Sequence, residues 1–175
     1  MRHIRLIFKR PTSGDIVFQA AFTRADGTTA YTEESPYALA GTFTGPAAIN
    51  VNSLDLTGGT GYVTFPGVQN INTTSLVPFT IDLKVAFSSF ALSSTRYVIG
   101  QYDATNNQRA WAITQNTDQL RFIYSSNGTG FSTLTCITSL SNIFTVNDFV
   151  TLRIDYDGTT IRFYANGDMF ASAAY

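Results

Sequence analysis

Carboxylate pairs are the side chains of this sequence that could perform hydrolytic chemistry. A retaining glycosidase needs two carboxyl groups about 5 Å apart, and on a strand this requires acidic residues two or four positions apart, because neighbours face opposite ways. The only glutamates, Glu33 and Glu34, are adjacent in a predicted loop. Asp155 and Asp157 have the right spacing, but Asp157 lies in a predicted turn and Asp155 on a predicted solvent face. We therefore expect a protein that is not an enzyme.

Nucleophilic and metal chemistry have few candidate residues. His3 is the single histidine, so any catalytic triad or histidine metal site would have to use a residue near the N-terminus. Cys136 is the single cysteine and lies in the alternating run STLTCIT, which predicts a buried side chain and no intramolecular disulfide. Calcium could bind loop oxygens of Asp103, Asn106 and Asn107. Ordinary turn chemistry explains those residues more simply, so no cofactor is predicted.

A cluster of aromatic and polar residues is the candidate site for a glycan. An exposed aromatic ring with amide and carboxylate groups beside it can stack on a sugar and bind its hydroxyls. The residues of this cluster are Tyr102, Asp103, Asn106, Asn107 and Trp111. The alternative is that Trp111 and Tyr102 belong to the core, as most aromatic residues of a sandwich do.

The elements that must position these residues are strands. Residues 148–172 read DFVTLRIDYDGTTIRFYANGDMFAS, in which Asp157-Gly158 and Asn166-Gly167 are signals for tight type I′ hairpin turns. Val150, Leu152 and Ile154 alternate with polar residues, which is the period of a strand with one buried face. The segment therefore predicts a three-stranded antiparallel meander.

Three stretches, in order, carry a resemblance to a known family. They are LDLTGGTGYVTFP at Leu54 to Pro66, PFTIDLKVAF at Pro78 to Phe87, and TLRIDYDGTTIRFYANGDMFAS at Thr151 to Ser172. Together they resemble laminin-G-like, concanavalin A-like jelly rolls. The resemblance implies an antiparallel β-sandwich, but not an activity, because this fold hosts lectins, glycosidases and adhesion modules.

The whole chain fits one all-β domain. Its 175 residues are rich in Thr, Phe and Tyr, and no long window has a helical apolar period. We expect about a dozen strands, with residues 1–14 as an N-terminal strand or arm and residues 15–175 as the sandwich. Family members usually continue past the Asn-Gly hairpin with a final strand, so we expect the arm to complete a sheet, in cis or by exchange between subunits.

Charge is unevenly distributed along the chain. The net charge is −1, but four of the eleven basic residues and none of the twelve acidic residues lie in the first ten positions. Seven basic minus twelve acidic residues leaves the remainder at about −5, which argues against nucleic acid as a partner. We expect the arm to take part in assembly through its basic residues, Arg2, Arg5, Lys9 and Arg10. The alternative is that these residues keep an exposed strand edge soluble.

No apolar run of the sequence is long enough for a signal peptide or a membrane span. We therefore expect a chain that is made in the cytoplasm without an export signal, although its fold resembles that of adhesion modules. This combination predicts a virion protein of a bacteriophage: a capsid-decoration, tail or fibre component. Its expected partners are other virion proteins, further copies of itself and a host-surface glycan, without insertion into a membrane. The alternative is an extracellular carbohydrate-binding module of a bacterial surface or secreted protein, and the third hypothesis is a glycosidase-like enzyme.

Overall fold

The computed structural model of the chain describes residues 6–9, 16–20, 27–28, 30–32, 40–44, 48–50, 53–55, 62–64, 78–91, 93–103, 108–125, 129–135 and 139–175. These residues form strands and one short 3₁₀ turn at Leu140–Asn142. The strands are β1 (Leu6–Lys9), β2 (Ile16–Ala20), β3 (Ala30–Thr32), β4 (Ala40–Thr44), β5 (Ala48–Asn50), β6 (Ser53–Asp55), β7 (Tyr62–Thr64), β8 (Phe79–Val85), β9 (Arg96–Asp103), β10 (Gln108–Asn116), β11 (Gln119–Tyr124), β12 (Ser132–Thr135), β13 (Val150–Tyr156), β14 (Thr160–Ala165) and β15 (Asp168–Ala174).

Two sheets form the body of the protein. One has six strands in the order β15-β14-β13-β8-β1-β2, and the other has four in the order β12-β11-β10-β9. All neighbours in both sheets are antiparallel. Two smaller antiparallel sheets, β3-β4-β7 and β5-β6, account for the other strands of the described chain. The predicted antiparallel β-sandwich is therefore confirmed.

Side-chain alternation explains why the six-stranded sheet has one dry face. In β13, Val150, Leu152 and Ile154 are buried, whereas Thr151 and Arg153 are exposed. β8 and β14 repeat this pattern, so every second residue of three adjacent strands faces the interior. Burial of each large aliphatic or aromatic side chain stabilises the fold by about 1.5 to 3 kcal/mol.

The core lies between the two sheets. Phe79 of the six-stranded sheet packs against Phe122 and Trp111 of the four-stranded sheet, with ring centroids 5.8 Å and 6.4 Å apart. These contacts join the sheets face to face, which is the arrangement of a sandwich.

The N-terminal segment is part of the larger sheet. β1 lies between β8 and β2 of the same chain, with Phe8 opposite both Ile81 and Phe18. Of the predicted basic assembly residues, Lys9 ends β1, and Arg2, Arg5 and Arg10 lie outside the described residues. The division of the chain at residue 14 and the assembly role of the arm stay predictions.

The strand register gives the sandwich two distinct ends. At one end β8 starts at Phe79 opposite Tyr156, the last residue of β13. We name this the tyrosine end, for Tyr124, Tyr156 and Tyr175. At the other end Val85 lies opposite Val150. We name this the phenylalanine end, for Phe87, Phe90, Phe144 and Phe170.

Candidate functional site

Three tyrosines from both sheets meet at the tyrosine end. The Tyr175 ring lies 4.6 Å from the ring of Tyr124 and 5.2 Å from that of Tyr156, measured between centroids. Tyr156 is buried, Tyr124 is half-buried, and Tyr175 is 42% exposed. The cluster therefore offers one aromatic ring to solvent on a base of two others.

The tyrosines rest on the aromatic core. Tyr156 packs on Phe79 at 5.6 Å, and Tyr124 packs on Phe122 at 6.3 Å. Phe122 in turn stacks on Trp111 at 6.2 Å with an interplanar angle of 10°. Rings packed in this way have little rotational freedom, so the surface ring of Tyr175 lies on a rigid support.

The turn after β13 holds the cluster from the side. The Tyr156 hydroxyl donates to the Gly158 carbonyl at 2.8 Å, and the Tyr175 amide donates to the Thr159 carbonyl at 2.9 Å. Asp157 Oδ1 accepts from the Thr159 amide, the Thr159 hydroxyl and the Thr160 amide, each at 2.9 Å. The turn is therefore fastened internally and positions both tyrosines.

The hydroxyls of Tyr156 and Tyr175 remain protonated at neutral pH. Burial raises the pKa of Tyr156 and of Tyr175, and the neighbouring phenols add to both shifts. The two hydroxyls therefore stay protonated and can donate hydrogen bonds. Asp157 carries a charge, because the hydrogen bond from Arg162 and the bonds within the turn hold its pKa well below the usual range.

Three strand connections begin at the tyrosine end. The β9–β10 loop connects Asp103 with Gln108, which lie opposite each other. The β11–β12 loop follows Tyr124, is tied by the Ser125 amide to the Ala110 carbonyl at 2.8 Å, and carries Phe131, which is 59% exposed. The third loop is the Asp157 turn. Ligand sites commonly lie where loops on a rigid scaffold converge.

The phenylalanine end has a different construction. Phe144 is 4% exposed and meets Phe87 and Phe170 edge to face at 5.4 Å and 6.0 Å. Loop polar groups bind each other there: Gln115 Nε2 donates to the Ser89 carbonyl at 2.7 Å, and Asp118 accepts the Ser141 amide and hydroxyl at 2.8 Å and 2.7 Å. The packed phenylalanine rings and the hydrogen bonds between loops therefore cover this end of the sandwich.

The predicted glycan cluster is only partly placed by the structure. Trp111 is 3% exposed between the two sheets, so its predicted exposed position is wrong and the alternative, a core residue, is confirmed for it. Tyr102 and Asp103 end β9 at the tyrosine end, and Asn106 and Asn107 lie outside the described residues. Glycan binding by these four residues, and calcium binding by Asp103, Asn106 and Asn107, stay predictions.

The outward face of the six-stranded sheet contains Asp155, as predicted. Its carboxylate accepts hydrogen bonds from the Thr80 hydroxyl at 2.8 Å and from Arg153 Nε at 3.0 Å. Asp157 lies in the hairpin turn, also as predicted, and pairs with Arg162 at 2.6 Å. Each carboxylate is thus bound to an arginine, and the hydrogen bond from Arg162 lowers the pKa of Asp157.

Other candidate residues lie outside the described ranges: Glu33, Glu34, His3 and Cys136. Among the residues that the structure does describe, no three His, Cys, Asp or Glu side chains form a group that could hold a metal ion. Those residues also include no helix with the length and apolarity needed to cross a membrane.

Sequence reasoning missed two members of the tyrosine cluster, Tyr124 and Tyr156, and placed Tyr175 only in a loop or chain end. The available signal was that Tyr124 and Tyr156 each stand last in a strand, directly before a polar turn. Amphipathic aromatic residues at strand ends can pack inward with the ring while the hydroxyl remains close to solvent.

Comparisons with known proteins agree with the fold. A family model described as the concanavalin A-like lectin/glucanases superfamily matches residues 57–175. No curated protein matched the chain.

Two solved botulinum neurotoxin structures are similar to it. One is a type C structure concerned with cell entry dependent on two ganglioside molecules, with 13% identity, a TM-score of 0.52 and coverage of 97% of this chain and 38% of that one. The other is the binding domain of neurotoxin DC in complex with rat synaptotagmin II, with 13% identity, a TM-score of 0.50 and coverage of 97% and 39%. At this identity the likeness shows the fold alone.

Proposed function

Because the chain belongs to the concanavalin A-like lectin/glucanases superfamily, we propose that it is a non-enzymatic binding module and that its tyrosine end recognises a carbohydrate. The observation that carries this proposal is the exposed ring of Tyr175 on its base of Tyr124 and Tyr156. The C–H faces of sugar rings are apolar and pack on aromatic faces, while their hydroxyls need hydrogen-bonding partners.

The surroundings of Tyr175 supply both kinds of contact. Tyr124 adds apolar surface beside the Tyr175 ring, and the turn whose Thr159 carbonyl accepts the Tyr175 amide adds the hydroxyl of Thr159 and the carboxylate of Asp157. A platform already fixed by core packing loses little conformational entropy when a ligand binds. This preorganisation favours recognition rather than turnover.

The likeness to the neurotoxin structures supports a binding module, but it does not indicate where a ligand would bind. The type C structure concerns two ganglioside molecules, which carry carbohydrate. This chain spans about 38% of that protein's length, so no ganglioside contact is assigned to any residue here.

A glycan array tests the proposal with three proteins: the unaltered chain, Tyr175→Ala and Tyr97→Ala. Tyr97 is the matched control, because it is 51% exposed but lies opposite Thr114 towards the phenylalanine end. We expect the unaltered chain and Tyr97→Ala to bind the same oligosaccharides and Tyr175→Ala to lose them. No binding to any oligosaccharide by the unaltered chain would contradict the proposal.

We also propose, on the sequence alone, that this module serves in a virus particle, as a decoration, tail or fibre component that forms homo-oligomers. The support is the resemblance to jelly rolls of phage structural proteins and the basic residues Arg2, Arg5, Lys9 and Arg10. Light scattering on the full chain and on a version with these four residues changed to Ser tests it. A multimer that the changes dissociate supports the assembly role, and a monomer in both cases contradicts it.

A further inference from the structure

The tyrosine end brings phenol side chains from both sheets into direct contact. The ring centroids of Tyr124 and Tyr175 are 4.6 Å apart, with an interplanar angle of 41°. Tyr124 ends β11 in the four-stranded sheet, and Tyr175 follows β15 in the six-stranded sheet. The two residues lie far apart in the sequence, so the contact exists only in the folded chain.

Two tyrosines in contact are the reactants of oxidative coupling. Each phenol loses one electron and its hydroxyl proton, and the unpaired electron of the phenoxyl radical then resides partly on the ring carbons ortho to the oxygen. Two such carbons form a carbon–carbon bond, and the hydrogens that they carry move to the oxygens. One hydrogen peroxide molecule accepts the two electrons and two protons and leaves as two water molecules.

Exposure makes Tyr175 the residue of this pair that meets an oxidant first. Tyr175 is 42% exposed, whereas Tyr124 is half-buried and packs on Phe122 at 6.3 Å. A radical formed on Tyr175 therefore has a second phenol beside it that is already held in place. Proximity of this kind replaces an encounter between two molecules with a reaction inside one, at a high effective concentration of the partner.

Tyr156 is the competing partner for Tyr175, and its geometry is less suitable. Its ring lies 5.2 Å from that of Tyr175 at an interplanar angle of 59° and is 3% exposed. Its hydroxyl also donates to the Gly158 carbonyl at 2.8 Å. Coupling requires the two rings to turn until their ortho carbons reach bonding distance. A buried and hydrogen-bonded ring resists this movement more than the half-buried ring of Tyr124 does.

From these contacts we infer that Tyr124 and Tyr175 form a site of oxidative modification, at which hydrogen peroxide and a haem peroxidase join the two rings as dityrosine within one chain. The new bond connects β11 with β15 and so fastens one sheet of the sandwich to the other. Because the joined residues are far apart in sequence, the cross-link strongly restricts the unfolded state. Coupling at this pair does not depend on carbohydrate binding.

Treatment of the dilute full chain with a haem peroxidase and hydrogen peroxide provides the test, since dilution slows coupling between chains. Trypsin then separates the three tyrosines, because Tyr124 lies in residues 122–153, Tyr156 in residues 154–162 and Tyr175 in residues 163–175. We expect the monomer to acquire dityrosine fluorescence. Mass spectrometry should show residues 122–153 joined to residues 163–175 with the loss of two hydrogen atoms.

Conservative variants identify the joined residues without removing a ring. Tyr124→Phe and Tyr175→Phe should each abolish dityrosine in the monomer. Tyr164→Phe is the control for the other tyrosine of residues 163–175, and Tyr97→Phe is the control for a phenol that is 51% exposed elsewhere. Both controls should leave the yield of dityrosine unchanged.

Two further measurements show whether the fold directs the coupling. In concentrated urea the yield of the bond between Tyr124 and Tyr175 should fall at least about tenfold, because unfolding removes their proximity. The cross-linked monomer should unfold at a temperature roughly 5 to 10 °C above that of the untreated chain.

The peptide map decides between the outcomes. A bond that joins residues 154–162 to residues 163–175 would overturn the choice of Tyr124 as the partner. Dityrosine confined to covalent dimers, or equal yields in the folded and the unfolded chain, would show that the contact does not direct coupling. Absence of dityrosine from the treated chain would overturn the modification site altogether.

Discussion

The two ends of the sandwich both use aromatic residues, but they use them for different purposes. At the phenylalanine end, Phe144 is enclosed by Phe87 and Phe170 in edge-to-face contacts. At the tyrosine end, Tyr175 lies on Tyr124 and Tyr156 and is itself 42% exposed. The difference indicates that the phenylalanine end contributes mainly to stability, whereas the tyrosine end exposes an aromatic surface to solvent.

The polar residues follow the same division. At the phenylalanine end, Gln115, Asn116 and Asp118 bind residues of other loops: Ser89, Thr95 and Ser141. At the tyrosine end, Asp157 binds its own turn and Arg162. The phenylalanine end is thus fastened by hydrogen bonds between separate loops, whereas the bonds of Asp157 at the tyrosine end lie within its own turn and to Arg162 of the adjacent strand.

The largest expected effect is that of Phe144→Ala. Removal of this buried ring should lower the free energy of unfolding by about 3 to 5 kcal/mol through lost burial and a residual cavity. Phe131→Ala is the control at the other end, and since Phe131 is exposed it should change stability by less than about 0.5 kcal/mol. Urea denaturation measures both, and equal losses would refute the division between the two ends.

The next largest effect on stability is expected from substitution of two turn glycines. Gly158 and Gly167 have φ angles of +106° and +97°, which side chains with a Cβ rarely adopt. Each change to Ala should cost about 1 to 2 kcal/mol of stability. Only Gly158→Ala should also weaken sugar binding, because the Thr159 carbonyl of that turn holds Tyr175. Denaturation and calorimetry on both variants check this, and weaker binding by Gly167→Ala alone would reverse the assignment of the ends.

Asp118 provides a pH-dependent effect at the phenylalanine end. Burial raises the pKa of this carboxyl, but hydrogen bonds from Ser141, Ser139 and Leu140 outweigh burial and leave the pKa below its usual value. A lowered folded pKa means that the stabilisation is complete above the unfolded value of about 4 and is lost as the pH falls through the folded value.

Asp118→Ala should therefore cost about 1 kcal/mol at neutral pH, through loss of the hydrogen bonds to Ser141. The difference in unfolding free energy between the variant and the unaltered chain should shrink as the solution is acidified below pH ~4. Denaturation curves across this range provide the measurement. A difference in unfolding free energy that grows on acidification would show that folding raises the pKa of Asp118 instead of lowering it.

The smallest expected effect is that of Tyr156→Phe. It removes the hydroxyl that donates to the Gly158 carbonyl at 2.8 Å but keeps the buried ring. Water can replace this donor because Gly158 is exposed, so the cost should be about 0.5 to 1 kcal/mol. Thermal unfolding would measure it, and a loss as large as that of Phe144→Ala would mean that the tyrosine end is as much a stability element as the opposite end.

Alternation predicted the strands best where one face is buried along a whole strand. The meander of β13, β14 and β15 was predicted from Val150, Leu152 and Ile154 and from two turn signals, and it is confirmed. Asn166 and Gly167 both have positive φ, as a type I′ turn requires. At Asp157-Gly158 only the glycine does, because a three-residue connection replaces the expected two-residue turn.

The candidate site was less predictable. Trp111 lies next to a register shift between Arg109 and Trp111, and a bulge of this kind changes which face of the sheet a side chain occupies. The sequence contains no clear signal of a single bulge. The loop predicted around Glu33 and Glu34 directly follows β3 (Ala30–Thr32), which the sequence did not reveal, because three residues are too few to show alternation. The tyrosine cluster joins residues far apart in sequence, so only the packed fold reveals it.

A two-dimensional amide NMR titration of the full chain with the oligosaccharide that binds best on the glycan array tests the central claim most directly. We predict chemical-shift changes at Gly158, Thr159 and Tyr175, with no change at Asn147 or Gly167. Changes concentrated at the phenylalanine end, or around Arg153 on the outward face of the six-stranded sheet, would contradict the claim that the tyrosine end is the recognition surface.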